Sequence, residues 1–471
     1  MANKSWGGDR ATITKLYKAT ILEKMLYAAP ILSSIGDCNM KRLETVHNNG
    51  LRAITGAFYT SPVNSLQAET GIPSLQTLIS QRTAIFSTKM VAFEDSIEAD
   101  DNSPSTSSGS TTDDSESSGD TWGTPQTANS KQSIIERGMV IIKNLGIKLP
   151  HLENYVVPSS APWERSSIPV DTSMLRAVHQ SASSIELQNL YKEIKSTQYS
   201  IYQEIYTDGS RRAGKIGFSV VCKDMIIRKR INDMNSIYSA ESEAIKEAIS
   251  WITKLENSGA YLICTDSLSA LEEIAKCKVR SKWKDDVLKL YNECVTNQKE
   301  ITLLWVPGHV GIAGNERSDR EAKLALDGPV DRTIKINMKE IRTNIKKYTI
   351  YKWQAQWDRV RDNKLREIKN TVKPFVEEAE TRRENVVLSR LRIGHTLLTH
   401  QYLLERKEVP RCERCNDILT VKHLIVECPG LESERAKVGL RPNIREALAD
   451  DKQRVNKIIQ YMKNSKLFEN I

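Results

Sequence analysis

Apolar residues recur at helical spacing through the first ninety positions. Across Ala11 to Leu32, the residues Leu16, Ala19, Ile21, Leu22, Met25 and Leu26 predict one face of a helix that Pro30 interrupts. Leu43, Val46, Leu51 and Ile54 predict a second helix over Met40 to Ile54, closed by Gly56, and Leu75 to Met90 predicts a third. The pattern then vanishes. From about Glu94 to Ser130 the chain is Ser, Thr, Gly and Asp rich, and no Lys or Arg falls between Met90 and Ser130. Such a stretch cannot bury enough apolar area to offset its chain entropy, which predicts a flexible acidic linker. Thr112-Asp113-Asp114 has no flanking apolar strands and reads as part of that linker. Beyond it, Ser166 to Val170 is expected to be extended and Ser184 to Lys195 helical.

At Ser200 the pattern shortens to that of strands. Ser200 to Asp208, Ile216 to Lys223 and Met225 to Ile231 predict an antiparallel meander, its first turn running from Asp208 to Gly214. A helix follows over Ser239 to Leu255, with Ala244, Ala248, Ile249, Ile252 and Leu255 on one face. Ala260 to Thr265 predicts a buried strand, and a short helix is expected after Asp266. Lys282 to Thr296 predicts a longer helix, Ile301 to Val306 the last strand, and a final helix begins near Glu316. This order implies a mixed sheet with helices against it. After Gly328 the chain is basic and helical. Ile341, Ile345, Tyr348, Tyr351, Trp353 and Trp357 lie among many cations, a spacing that predicts a core stripe, although interleaved aromatics and cations can also hold nucleic acid.

A chain of 471 residues exceeds one ordinary domain, and length alone predicts about three. The net charge of +9 understates the basic character, because the linker hides part of it. Polyanion binding fits that balance. No run of eighteen apolar residues occurs, so no membrane span is expected. The apolar run Met25 to Leu32 is broken by Pro30 and preceded by lysines at amphipathic spacing, which reads as a helix rather than a secretory leader. The eight cysteines mostly stand alone, which points to a reducing compartment.

Chemistry gathers in two places. Asp208, Glu241, Asp266 and Asp319 each lie in their own apolar setting. Taken singly, they read as a turn residue, a helix N-terminal carboxylate, an N-cap and a solvated helix position. Brought together they would repel one another, so the set implies divalent cations and metal-dependent phosphodiester chemistry. The second place is Cys412-x2-Cys415-x7-His423-x4-Cys428, whose thiolates and imidazole can close a tetrahedron around Zn2+. The alternative there is a set of reduced structural cysteines. His395 and His400, upstream on a predicted helix, and the lone His47 are expected to be structural or surface residues.

Ile205 to Ser210, Ala240 to Ile245, Thr265-Asp266-Ser267 and the long run from Trp305 to Asp319 closely resemble type 1 ribonuclease H domains. The resemblance implies an α/β fold, a mixed five-stranded sheet flanked by helices. It implies that Asp208, Glu241, Asp266 and Asp319 are the catalytic metal ligands for two Mg2+ or Mn2+ ions, about 4 Å apart, that activate water and stabilise the leaving oxygen. His309 would sit on a mobile loop and assist proton transfer or product release, with Glu316 aiding the second metal. Glu243, two positions past the matching acid, is set aside. Ser242 and Ser318 stand where the family has Leu and Ala, a matter of packing. The implied substrate is the RNA strand of an RNA:DNA hybrid, recognised through its 2′-hydroxyls, with backbone amides near Gly209 and Ser210 among the contacts.

Leu388 to Thr396, Thr399-His400 and the Cys/His cluster look like the C-terminal end of polyproteins from jockey-like non-LTR retrotransposons of insects. Leu51 to Ala57 and Glu69 to Pro73 look like the tail of a reverse transcriptase thumb, and no palm is present, so polymerisation is not expected. The domain plan expected is a helical thumb-like region at 1–92, a disordered acidic linker at 93–132, a connector at 133–199 and a ribonuclease H domain at 200–328. A basic helical region at 329–405 and a zinc module with C-terminal helices at 406–471 complete it. The expected activity is metal-dependent endonucleolytic cleavage of the RNA strand of hybrids, and the alternative is a nucleic-acid-binding protein with a vestigial nuclease. A transposase or integrase on the same fold is disfavoured by the Gly-His-x-Gly motif and the order of the acids. Expected partners are nucleic acid and RNA:DNA hybrid, with no membrane and no set oligomeric state. The expected location is intracellular, the nucleus following from the substrate alone.

Overall fold

The computed structural model describes residues 3, 5–100, 132–153, 167–276, 279 and 281–471, with backbone alone for 94–100. Of these, residues 148–344 form the main part of one compact unit, and residues up to 88 join residues 345–471 in another. The expected acidic linker, including Asp113 and Asp114, falls mostly outside the described residues. Its first positions are helical, because the helix Leu75–Asp100 continues past Met90.

The central unit holds β1 (Val170–Asp171), β2 (Gln203–Arg212), β3 (Lys215–Val221), β4 (Ile226–Ile231), β5 (Gly259–Thr265) and β6 (Lys299–Trp305). They make one mixed sheet in the order β1-β6-β5-β2-β3-β4. β2, β3 and β4 form the antiparallel meander, while β1, β6, β5 and β2 run parallel. The sheet therefore has six strands, where five were expected. The extra one, β1, pairs Val170 with Leu303 and Asp171 with Leu304, and two residues are too few to show alternation in a sequence.

The first turn also differs from expectation. β2 continues through Asp208 to Arg212, and the reversal is made by Ala213 and Gly214, both in the left-handed region at φ 49° and 84°. Two-residue hairpin loops favour that geometry, because its twist matches that of the strands. Asp208 is thus a strand residue and not a turn residue.

Helices cover both faces of the sheet: α1 (Ser184–Thr197), α2 (Ile237–Thr253), α3 (Leu268–Ala275), α4 (Lys282–Thr296) and α5 (Ala313–Ala325). α2 lies on the face that carries Gly209, where a Cβ would meet Glu241 Cγ and the Glu241 amide at 3.0 Å. α5 lies on the face that carries Tyr206, whose ring a Cβ at Gly314 would overlap at 2.1 Å. Ser219 Oγ on β3 donates to the Ser318 carbonyl at 2.7 Å, which ties α5 down. Lys299, fully buried, donates to the carbonyls of Ile252, Thr253 and Leu255 and so satisfies the C-terminal end of α2. Ile205, Phe218, Ile245, Ile249, Ile263, Leu303 and Val306 form the core between these layers.

In the other unit, segments from both ends of the chain share their interior. The helix Asp37–Thr55 ends at Gly56 with φ 63°. Its Leu51 and Ile54 pack with Leu66, Leu75, Ile79 and Ile393. Ala68 joins Trp353, Trp357, Leu388, Ile425, Ile458 and Tyr461. A buried Arg10 pairs with buried Glu69 at 3.1 Å and donates to the Phe375 carbonyl at 2.7 Å, and Arg382 donates to the carbonyls of Ala53 and Ile54 at 2.7 Å. Desolvating these charges is costly unless each finds a partner, so they specify how the two ends meet. His47 is buried between the Tyr17 hydroxyl and the Pro73 carbonyl, and burial holds its imidazole down to about 4, which makes it structural. His395 lies past the cap Gly394 rather than on a helix, and its ring stacks on His400 at 3.7 Å. On the helix Met338–Arg359 the aromatics divide, Trp353 and Trp357 buried, Tyr348 and Tyr351 exposed.

Candidate metal-dependent active site

Strand register brings the first two acids together. Thr207 on β2 is level with Thr265 on β5, and Thr265 with Trp305 on β6. Asp208 is therefore the first β2 residue beyond the carboxyl end of β5, and Asp266 is the residue that leaves β5. Open sheets place their ligand sites at such carboxyl ends. Glu241 arrives from the first turns of α2, its close approach to β2 eased because position 209 has no Cβ. Ser267 Oγ donates to Glu241 Oε2 at 2.6 Å, so the residue after Asp266 orients the neighbouring acid. Asp319 comes from α5, where Gly314 permits the close seat on Tyr206.

The electrostatics record this convergence. Asp208 is only 7% exposed. Burial pushes its carboxyl up to about 8, with the charges of Asp266, Asp319 and Glu241 adding to the effect and the Gly209 amide opposing it. Burial also raises Glu241, against the Ser267 hydrogen bond, and Asp266 adds to it. Asp266 is raised by burial and by Asp319, and lowered by His309. Glu243 turns elsewhere. It is partly buried beside Lys246 at 2.5 Å, with Asp286 and Glu247 the acids that act on it.

His309 is exposed, with φ 55°, in the loop between β6 and α5. Its ring, Glu316 and Asp319 each offer an atom within 4.8 Å of the other two. Glu316 also accepts from the Gly311 amide at 3.2 Å. A Cβ at Gly308 would lie 2.8 Å from Asp266 Oδ2, so this loop passes closely over the acids. The ammonium of Lys323, one turn on from Asp319, donates to Asp319 Oδ2 at 2.6 Å.

Hard carboxylate oxygens that raise one another's proton affinity are the donor set that suits Mg2+ or Mn2+. The RNase H family model matches residues 201–327, the stretch that carries all of these side chains. This stretch is an RNase H domain. RNase H domains use divalent metals, in keeping with the donor set here. The strand β1 and the helix α1 lie before the matched residues, yet both are built onto the RNase H sheet through Ile168, Leu187, Tyr191 and Ile194. Their contribution was missed in the sequence, where residues 133–199 carry few signals.

The second group is local. Cys412 and Cys415 flank a tight turn in which the Cys412 amide donates to the Asp417 carbonyl and Asn416 takes φ 62°. His423 opens the short helical segment His423–Glu427, and Cys428 ends it. Cys412 Sγ lies 3.7 Å and Cys415 Sγ 4.0 Å from Cys428 Sγ, and Cys415 Sγ is 3.3 Å from His423 Nε2. These separations are far longer than a disulfide. Ligands about 2.3 Å from a tetrahedral ion stand about 3.8 Å apart, so the set fits Zn2+. Burial raises the Cys412 thiol, but hydrogen bonds from the Arg414 amide, His423 and Cys415 outweigh it and bring the group to about 6. His395 and His400 are not part of this group, for His400 Nε2 faces Lys364 Nζ at 2.9 Å.

Proposed function

We propose that the protein is a metal-dependent endonuclease that hydrolyses the RNA strand of RNA:DNA hybrids. Asp208, Glu241, Asp266 and Asp319 would hold Mg2+ or Mn2+, and His309 would handle protons at the edge of the site. The observation that carries this reading is the placement of Asp208 and Asp266 side by side at the carboxyl end of β5, with Glu241 of α2 tied to them through Ser267 and the charge of Asp319 of α5 acting on both aspartates. When bound, paired divalent ions would polarise the scissile phosphate and make a water nucleophilic near neutral pH. The carboxylates would hold those ions, Ser267 orients Glu241, and Gly308 lets the His309 loop approach. His309, exposed and beside Glu316 and Asp319, is positioned to exchange a proton with solvent. Zn2+ on Cys412, Cys415, His423 and Cys428 would be structural. The resemblances of residues 1–92 and 388–428 support descent from a retrotransposon polyprotein.

Purified full-length protein is expected to degrade the RNA of a labelled hybrid only when Mg2+ or Mn2+ is present. Cleavage that persists in a chelator would end the proposal. A second reading, nucleic-acid binding with a vestigial nuclease, draws on Lys346, Lys347, Tyr348 and Tyr351, which are exposed together on one helix. Salt-dependent binding without cleavage under any divalent cation would select it.

A further inference from the structure

α1 lies wholly outside the residues matched by the family model, which begin at 201. It nevertheless reaches the loop carrying His309. Ser183 and Glu186 cap its first turn reciprocally, and Leu187, Tyr191 and Ile194 are buried in the core of the RNase H sheet. Tyr191 Oη lies 2.6 Å from Tyr206 Oη and donates to Glu204 Oε1 at 2.6 Å, so the helix is pinned to β2 two residues before Asp208. One helical turn nearer its start, Gln188 reaches the other way. Its Nε2 donates to the Val310 carbonyl at 2.8 Å.

Val310 stands between His309 at φ 55° and Gly311 at φ 88°. A non-glycine residue with positive φ keeps that conformation only where its surroundings enforce it. The Gln188 amide supplies such an enforcement from outside the loop. Its Nε2 would lie 2.5 Å from a Cβ at Gly311, so a side chain there would have to displace the Gln188 amide as well as adopt φ 88°. We infer that Gln188 is a positioning residue, and that α1 is an anchor added to the RNase H domain to hold the His309 loop over the acids. This rests on the nuclease reading above for its catalytic consequence, and on the loop geometry for its structural one.

The test uses the full-length chain with Gln188→Met, which keeps side-chain length and removes the donor, and Gln188→Lys, which restores a donor. Hydrogen exchange of the amides in residues 309–312 is expected to accelerate in Gln188→Met with the melting temperature unchanged, and to recover in Gln188→Lys. Hybrid cleavage is expected to show kcat lowered about tenfold with KM unchanged, a loss absent when His309→Ala is already present. Unchanged exchange overturns the anchor. An equal loss of kcat in the His309→Ala background overturns the positioning role, because the helix would then support the fold in general. If the unaltered protein cleaves no hybrid with any divalent cation, the nuclease reading falls and the catalytic role of Gln188 with it. If the protein cleaves and Gln188→Met matches it, the inference alone fails.

Discussion

The two candidate ligand groups of this protein are opposites. Asp208, Glu241, Asp266 and Asp319 span more than a hundred residues and come from four elements, and the proton affinity of Asp208, Glu241 and Asp266 is raised by burial and by neighbouring acids. Cys412, Cys415, His423 and Cys428 sit in one short stretch whose thiols and imidazole already stand at tetrahedral spacing. In the first, the fold forces like charges together, and the arrangement costs stability unless cations enter. In the second, the donors already stand at ligand spacing within a packed interior, so a bound ion would add to the stability of that interior. A catalytic metal site is held together by the fold, whereas a structural one helps to hold the fold together.

The sharpest way to break this contrast is Asp266→Asn. Loss of one carboxylate is expected to lower hybrid cleavage by roughly three orders of magnitude or more without lowering thermal stability. An active variant would remove the acids from the chemistry. For the other group, Cys428→Ser should release about one zinc per chain and lower the melting temperature by roughly 5 °C or more, read by metal analysis and calorimetry. An unchanged melting temperature would make the cysteines ordinary buried thiols.

The pH dependence separates the two groups further. Asp208 has its folded value raised from 3.8 to about 8, so the folded state binds the proton more tightly. The contribution is present in full below the unfolded value and is lost as pH rises through about 8. Without divalent metal, Asp208→Asn should therefore be more stable than the unaltered protein, by an amount that grows from pH 5 to pH 9 to on the order of 2 kcal/mol, or about 4–8 °C. Added Mg2+ should narrow the gap from the unaltered side, and no gap at pH 9 would deny the crowding. Gly314→Ala presses a methyl group on the Tyr206 ring and should cost about 1–3 kcal/mol in denaturant unfolding. Lys323→Ala removes an ion pair whose lysine is half-exposed, and should change stability by less than about 1 kcal/mol.

Much of the central fold was legible in the sequence, since β3, β4, α2 and α4 follow from the patterns in Ile216 to Ile231, Ile245 to Ile252 and Lys282 to Thr296, and β5 and β6 from the apolar runs Ala260 to Thr265 and Ile301 to Val306. The run from Trp305 to Asp319 marked the site. What escaped were the pairing of β1 with β6, at the end of a segment expected only to be extended, and the true hairpin at Ala213-Gly214. Gln188 escaped as well, a polar residue on a polar face until the loop it meets is seen. The shared interior of residues 5–88 and 345–471 was equally hidden. Its buried Arg10, Glu69 and Arg382 read in the sequence as ordinary charges.

By itself the sequence determined which residues offer metal-donor atoms, because a carboxylate or thiolate has its donor character wherever it lies, and it determined most elements, because periodicity is local. Tertiary structure alone decided that Asp208 stands beyond the end of β5, that Gly209, Gly308 and Gly314 are the close approaches, and that a helix from outside the matched domain grips the His309 loop. Those facts depend on strand register and on contacts between distant segments, and neither leaves a local pattern in the chain.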